Sequence, residues 1–198
     1  MVRDRPCYNG LVRRLVPLFL LLFLLPFPSG AETRLFSFGT GPVKVRLYTD
    51  YFCGPCSGIE QDLEVLLREL VAKDIISLTF IDVPIHKFTP LYASYFLYVL
   101  AGTDTFKEVL RVRALLFDAA NQKITERERL ESFLAEHGVK FKQIDVRPYL
   151  EGYNAYLKED RIRATPSCVI LSDGDRLSYS GSKEVVEALR RLLSAGKR

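Results

Sequence analysis

Cysteine and histidine are scarce in this chain: it has four cysteines and two histidines in 198 residues. Cys7 lies ahead of an apolar leader and reads as incidental, which leaves Cys53, Cys56 and Cys168 for the body. Three cysteines, one of them unpaired if the other two bond, exclude a disulfide-stapled scaffold. The shortage also weighs against zinc. Beyond Cys53 and Cys56 the available ligands are His86, His137 and Cys168, none at the paired spacing of a zinc ribbon or finger. No Gly-rich loop follows a strand, so the chain lacks a phosphate cradle for a nucleotide or flavin. Internal repeats are absent, and so are low-complexity tracts beyond the leader.

An excess of positive charge is also missing once the leader is set aside. The whole chain has 28 Lys and Arg against 24 Asp and Glu. Arg3, Arg5, Arg13, Arg14 and Asp4 belong to the leader, so 24 bases and 23 acids follow it, a net charge of +1. That gives no support for nucleic-acid binding. The leader itself has a basic start, an apolar run from Leu15 to Phe27 and the small residues Ser29 and Ala31. This pattern fits a secretory signal over residues 1–31, cleaved after Ala31. The run is shorter than the ~20 residues of a spanning helix, and Pro17 and Pro26 interrupt it. An uncleaved signal anchor is the alternative. Either way the body, residues 32–198, is expected outside the cytoplasm, where an oxidising environment lets a C-x-x-C serve as an exchange centre.

The body is organised around Tyr51-Phe52-Cys53-Gly54-Pro55-Cys56. Upstream, Val43, Val45 and Leu47 alternate with Lys44, Arg46 and Tyr48, the period of a strand. Downstream, Ile59, Leu63, Leu66, Leu67 and Leu70 recur at helical spacing, predicting one helix from Cys53 to about Ala72. Cys53 then stands at a helix N-terminus, where free N–H groups and the helix dipole favour an anion such as a thiolate. Cys56 lies one turn on, within reach of the first sulfur. The pair can pass between dithiol and disulfide through a mixed disulfide.

Other elements follow by the same rules. Arg34 to Phe38 is a candidate strand, and Ile75 to Val83 completes a βαβ unit of parallel strands. Helices are expected from Pro90 to Ala101, after capping boxes at Thr105-x-x-Glu108 and Thr125-x-x-Glu128, and from Asp145. His137 falls at a helix end, where it complements the dipole. His86 reads as a loop histidine. Tyr92, Tyr95, Tyr98, Tyr149, Tyr153 and Tyr156 read mainly as packing, with a few lining a groove. Ser167 to Leu171 and Arg176 to Ser180 form a hairpin about the turn Ser172-Asp173-Gly174-Asp175. Ser182 caps a closing helix.

The strand, C-G-P-C and helix resemble the thioredoxin superfamily. A second feature carries the resemblance: Ala164-Thr165-Pro166 ahead of the apolar run Cys168-Val169-Ile170-Leu171. The long helical span between these motifs, together with Asp50-Tyr51-Phe52-Cys53 and Pro84-Ile85-His86, is similar to the DsbA-like branch. The resemblance implies an α/β thioredoxin fold. A helical insertion at about 88–160 would separate the βαβ half from a C-terminal β-hairpin plus helix. It implies an exported thiol–disulfide oxidoreductase, with Cys53 attacking, Cys56 resolving, Gly54 and Pro55 shaping the loop, and Thr165 and a cis Pro166 docking substrate. Partners would be protein thiols or disulfides and a membrane or exported redox partner, with no cofactor and no metal. Two alternatives stand beside it: a dedicated reductant of the cytochrome-maturation type, and a non-catalytic thioredoxin-like binding module or chaperone. Cys168 reads as a small core residue. Many such proteins carry a buried carboxylate six residues before the first cysteine. Leu47 stands there instead, which leaves a water or Lys44 as the expected proton acceptor for Cys56.

Overall fold

The computed structural model describes residues 35–196. The proposed leader lies outside the described residues. The chain runs β1 (Val43–Thr49), α1 (Gly54–Ser57), α2 (Glu60–Ala72), β2 (Ile76–Asp82), α3 (Thr89–Leu100), α4 (Phe106–Asn121), α5 (Arg127–Glu136), α6 (Arg147–Glu159), β3 (Ser167–Ser172), β4 (Asp175–Ser180) and α7 (Ser182–Ala195). One sheet of order β2-β1-β3-β4 holds the strands. β1 and β2 are parallel, as a helical crossover requires, while β3 runs antiparallel to β1 and to β4. This is the expected α/β arrangement: a βαβ half, four inserted helices α3 to α6, then a hairpin and a helix.

Sheet and helices bury the apolar positions that periodicity marks. Val45 and Leu47 of β1 are inward, as are Leu63, Leu67 and Leu70 of α2 and Val185 and Leu189 of α7. Each such side chain stabilises the fold by about 1.5–3 kcal/mol relative to exposure. β2 is buried along most of its length, with Ile76, Leu78, Phe80 and Ile81 all inside. Helices therefore cover both of its faces. The hairpin turns through Asp173 (φ 50°) and Gly174 (φ 88°), the two left-handed residues that a two-residue turn of this type needs.

The inserted helices are fastened by charge as well as by packing. Arg113 of α4 is fully buried, with Nε 2.8 Å from Glu60 Oε1 and Nη2 3.0 Å from Glu60 Oε2. Its Nη2 also donates to Thr49 Oγ1 at 3.0 Å, and its guanidinium lies over the rings of Phe80 and Phe117. One side chain thus joins α4 to β1, β2 and α2. A second cluster secures the end of α6: Asp160 accepts from Tyr48 and pairs with Arg46 at 2.9 Å and with Arg176.

Several expectations are corrected. The helix after Cys53 is two helices, α1 and α2, with Gly58 and Ile59 between them. The Ile59 N–H turns back to Cys56 O at 3.3 Å, a tighter turn than an α-helix makes. Of the first candidate strand, Phe38 makes only an isolated bridge to Leu78. Thr105 does cap α4, accepting from the Glu108 N–H at 3.4 Å, but the Glu108 carboxylate turns to Arg111 instead of completing the box. Glu126 takes the place of Thr125 as the residue before α5, without a side-chain cap. Val146 precedes α6, while Asp145 still accepts from the Arg147 N–H at 3.1 Å. Gly181 (φ 98°), not Ser182, precedes α7.

Candidate functional site

Cys53 is the residue that caps α1 from outside. Its backbone is extended (φ −82°, ψ 111°), and its carbonyl accepts from the N–H groups of Cys56 and Ser57, each at 3.0 Å. Pro55 sits in the first turn, where its missing N–H costs no hydrogen bond. Gly54 and Pro55 are exposed and Cys53 is 8% exposed, while Cys56 is buried completely. The two sulfurs are 2.8 Å apart without a disulfide between them.

The C-terminal half supplies the facing wall. The Cys53 thiol points to the carbonyl oxygen of Thr165 at 3.4 Å. The Thr165–Pro166 peptide bond is cis. The Pro166 carbonyl accepts from Gly181 N at 2.9 Å, and Ser182 Oγ donates to the Pro55 carbonyl at 3.0 Å. The start of α7 is thereby tied to both walls. Cys53, Gly54, Pro55, Cys56, Thr165 and Pro166, singled out from sequence, meet at this one place.

Burial separates the thiols. It pushes the Cys56 thiol up to about 12, with the Cys53 sulfur adding to the effect and the Asp50 backbone and Thr165 opposing it. Cys168, also fully buried, is pushed up to about 12 by burial alone. It lies opposite Leu47 on β1 and Tyr179 on β4. That places it in the core and not in the cysteine loop.

Two carboxylates matter in ways the sequence reading did not see. Asp50 is wholly buried and accepts from Phe52 N (2.8 Å), Ile85 N and His86 N (both 3.1 Å) and Thr89 Oγ1 (2.7 Å), with His86 Nδ1 at 3.0 Å. It clamps the cysteine loop to the 84–89 loop. Its bond to Phe52 N, two residues on, is the turn-forming habit of Asp, and that signal was readable. Asp82, at the end of β2 opposite Thr49, is buried with neither oxygen hydrogen-bonded. It lines a cavity of about 170 Å³ together with Thr89, Ala93, Leu150 and Tyr153. Lys44 is exposed at the other end of β1, so the expected role as proton acceptor is not open to it. Among the described residues no group of three or more His, Cys, Asp or Glu is placed to hold a metal ion.

A family profile described as thioredoxin matches residues 40–191. No curated protein matches the sequence. Among solved structures, Wolbachia pipientis alpha-DsbA1 is similar with a TM-score of 0.62 at 14% identity, over 88% of this chain and 96% of that one. Chlamydia trachomatis DsbA also gives 0.62 at 14% identity, over 82% and 93%. BdbD from Bacillus subtilis gives 0.53 at 18% identity, over 80% and 92%. At such identities these likenesses establish a shared fold.

Proposed function

The chain belongs to the thioredoxin family, and from that premise we propose that it is an exported thiol–disulfide oxidoreductase acting on protein substrates through Cys53 and Cys56. The observation that carries the reading is the pairing of Cys53, at a helix start and 8% exposed, with a fully buried Cys56 whose sulfur is 2.8 Å away. In the oxidising direction a substrate thiolate attacks Cys53 of the oxidised pair. The Cys53–Cys56 bond breaks, and Cys56 leaves with the electron pair. A thiol pushed up to about 12 takes its proton readily once released, which opposes the reverse attack. A second substrate thiolate then attacks the substrate sulfur of the mixed disulfide and expels Cys53. Two electrons and two protons pass from substrate to protein. The reducing direction runs the same steps backwards.

Thr165 and Pro166 dock the substrate backbone opposite the nucleophile, as in strand addition, and Gly54 and Pro55 shape the exposed loop beside it. The chemistry is contained in the cysteine pair and requires no cofactor. Residues 1–31 serve as the export signal and residues 32–198 as the working domain. A membrane or exported redox partner returns the pair to its starting state.

The test is a glutathione equilibration of the full chain, read by trapping the thiols. A single two-electron transition that is lost in Cys53→Ser is expected. A midpoint toward about −120 mV makes the protein an oxidant, and one toward about −270 mV a reductant. A chain that keeps its exported function as Cys53→Ser is a binding module, and the proposal falls.

A further inference from the structure

On the exchange reading above, we propose that Arg161 and Arg163 form a subsite for acidic side chains of the protein substrate, close beside its reacting cysteine. The argument begins with which charges are already matched. At the end of α6, Glu159 and Asp160 are consumed by Arg46 and Arg176. The next two bases, Arg161 and Arg163, are exposed and have no ion-pair partner among the described residues. This ridge therefore holds four arginines against two carboxylates.

Its place in the chain brings the surplus charge to the site. Arg163 is two residues before Thr165, whose carbonyl lies 3.4 Å from the Cys53 sulfur. Two residues span at most about 7 Å of backbone. An acid within about two residues of the substrate cysteine spans at most the same distance from the other side, which puts the two side chains within reach of each other. A groove of about 190 Å³ runs along this ridge, and its lining includes Asp160, Arg161, Arg163, Ser178, Tyr179 and Ser180. Asp160 is 7% exposed and already paired, so it does not cancel the two free guanidinium groups. The serines on exposed β4 add hydroxyl donors. Guanidinium and hydroxyl donors in an open groove are the chemistry that recognises a carboxylate.

The experiment uses the full chain and peptides with one cysteine, identical except for Asp, Ser or Lys two residues either side of it. At low ionic strength kcat/KM should be about tenfold higher for the Asp peptide than for the Lys peptide. The ratio should fall toward one at about 1 M salt, where screening acts within about 3 Å. Arg161→Asn with Arg163→Ala should bring the ratio near one at low salt, and Arg163→Lys alone should keep much of it. Asn is chosen because Arg161 has φ 53°, a conformation Asn accepts. A wild-type ratio near one at low salt, or a ratio unchanged in the double variant, overturns the subsite. Neutral 2-hydroxyethyl disulfide separates the two failures. If Cys53 exchanges with it and the peptides are not discriminated, only the subsite is lost. If Cys53 does not exchange at all, the underlying function and the subsite fall together.

Discussion

The sulfurs of Cys53 and Cys56 lie 2.8 Å apart, yet only Cys53 keeps contact with solvent. Two residues of chain, Gly54 and Pro55, separate an available nucleophile from a sheltered one. Alkylation should report this directly. In the reduced protein near neutral pH, Cys53 should be the one thiol among the three described cysteines that reacts quickly with iodoacetamide. Cys56 and Cys168, both buried and pushed up to about 12, should react only after unfolding. Peptide mapping by mass spectrometry gives the order. Faster labelling of Cys168 than of Cys53 would mean that the nucleophile is misassigned.

The same geometry puts the Cys56 sulfur, 2.8 Å away, in position to release a mixed disulfide formed on Cys53. When reduced Cys53 attacks a substrate disulfide, replacing Cys56 with Ser should leave the substrate bound to Cys53, because the resolving attack of Cys56 is gone. Non-reducing gels of exported proteins should show adducts that disappear with dithiothreitol. An empty trap, where the wild type exchanges, would speak for a binding module.

What the sequence makes legible depends on the range of the interaction. The βαβ half is readable because Val45 and Leu47, and Leu63 and Leu67, follow the strand and helix periods one element at a time. The break at Gly58–Ile59 is hidden, since apolar spacing continues across it. Thr105 and Thr125 carry the same four-residue signature, yet only Thr105 caps; the difference lies in packing that local pattern does not encode. The cysteine motif and Thr165-Pro166 are read separately, and their meeting is read by family resemblance. Asp50 is visible in the motif, but its role as a clamp is not, because three of its partners, Ile85, His86 and Thr89, lie some 35 to 39 residues on. Arg113 did leave a trace. It shares an apolar helical face with Val109, Leu110, Leu116 and Phe117, where an arginine needs a buried acid, but nothing local names Glu60 as that acid.

That pair gives a stability prediction. Arg113→Met should leave Glu60 buried without its partner and cost about 3–5 kcal/mol, because breaking a buried ion pair leaves an unpaired charge. Glu60, already pushed up by burial, would then rise further and take a proton. Arg113→Met with Glu60→Leu should recover much of the loss, since no charge remains to be desolvated. Urea denaturation of wild type, single and double variants checks this. A double variant as unstable as the single would show that Arg113 acts through its contacts with Thr49, Phe80 and Phe117.

Asp82 predicts how stability varies with pH. Burial, the largest effect, pushes its carboxyl from 3.8 up to about 7; nearby Arg113 and the Tyr51 hydroxyl oppose the rise, while Asp50 and Glu60 add to it. In the unfolded chain the group loses its proton near its ordinary value. Between about pH 4 and 7 the folded state therefore holds a proton that the unfolded state has given up, and stability must fall as pH rises through that window. Below it both states are protonated, and above it both are ionised, so the contribution is flat. Three units at about 1.4 kcal/mol each set the scale at about 4 kcal/mol. Asp82→Asn removes the titration while keeping the shape. Denaturant midpoints of wild type and Asp82→Asn should be nearest at pH 4 and diverge toward pH 7, with the variant gaining relative to the wild type. Curves that stay parallel from pH 4 to 7 would mean that Asp82 ionises in the folded protein as it does in the unfolded chain, and that its burial carries no electrostatic penalty.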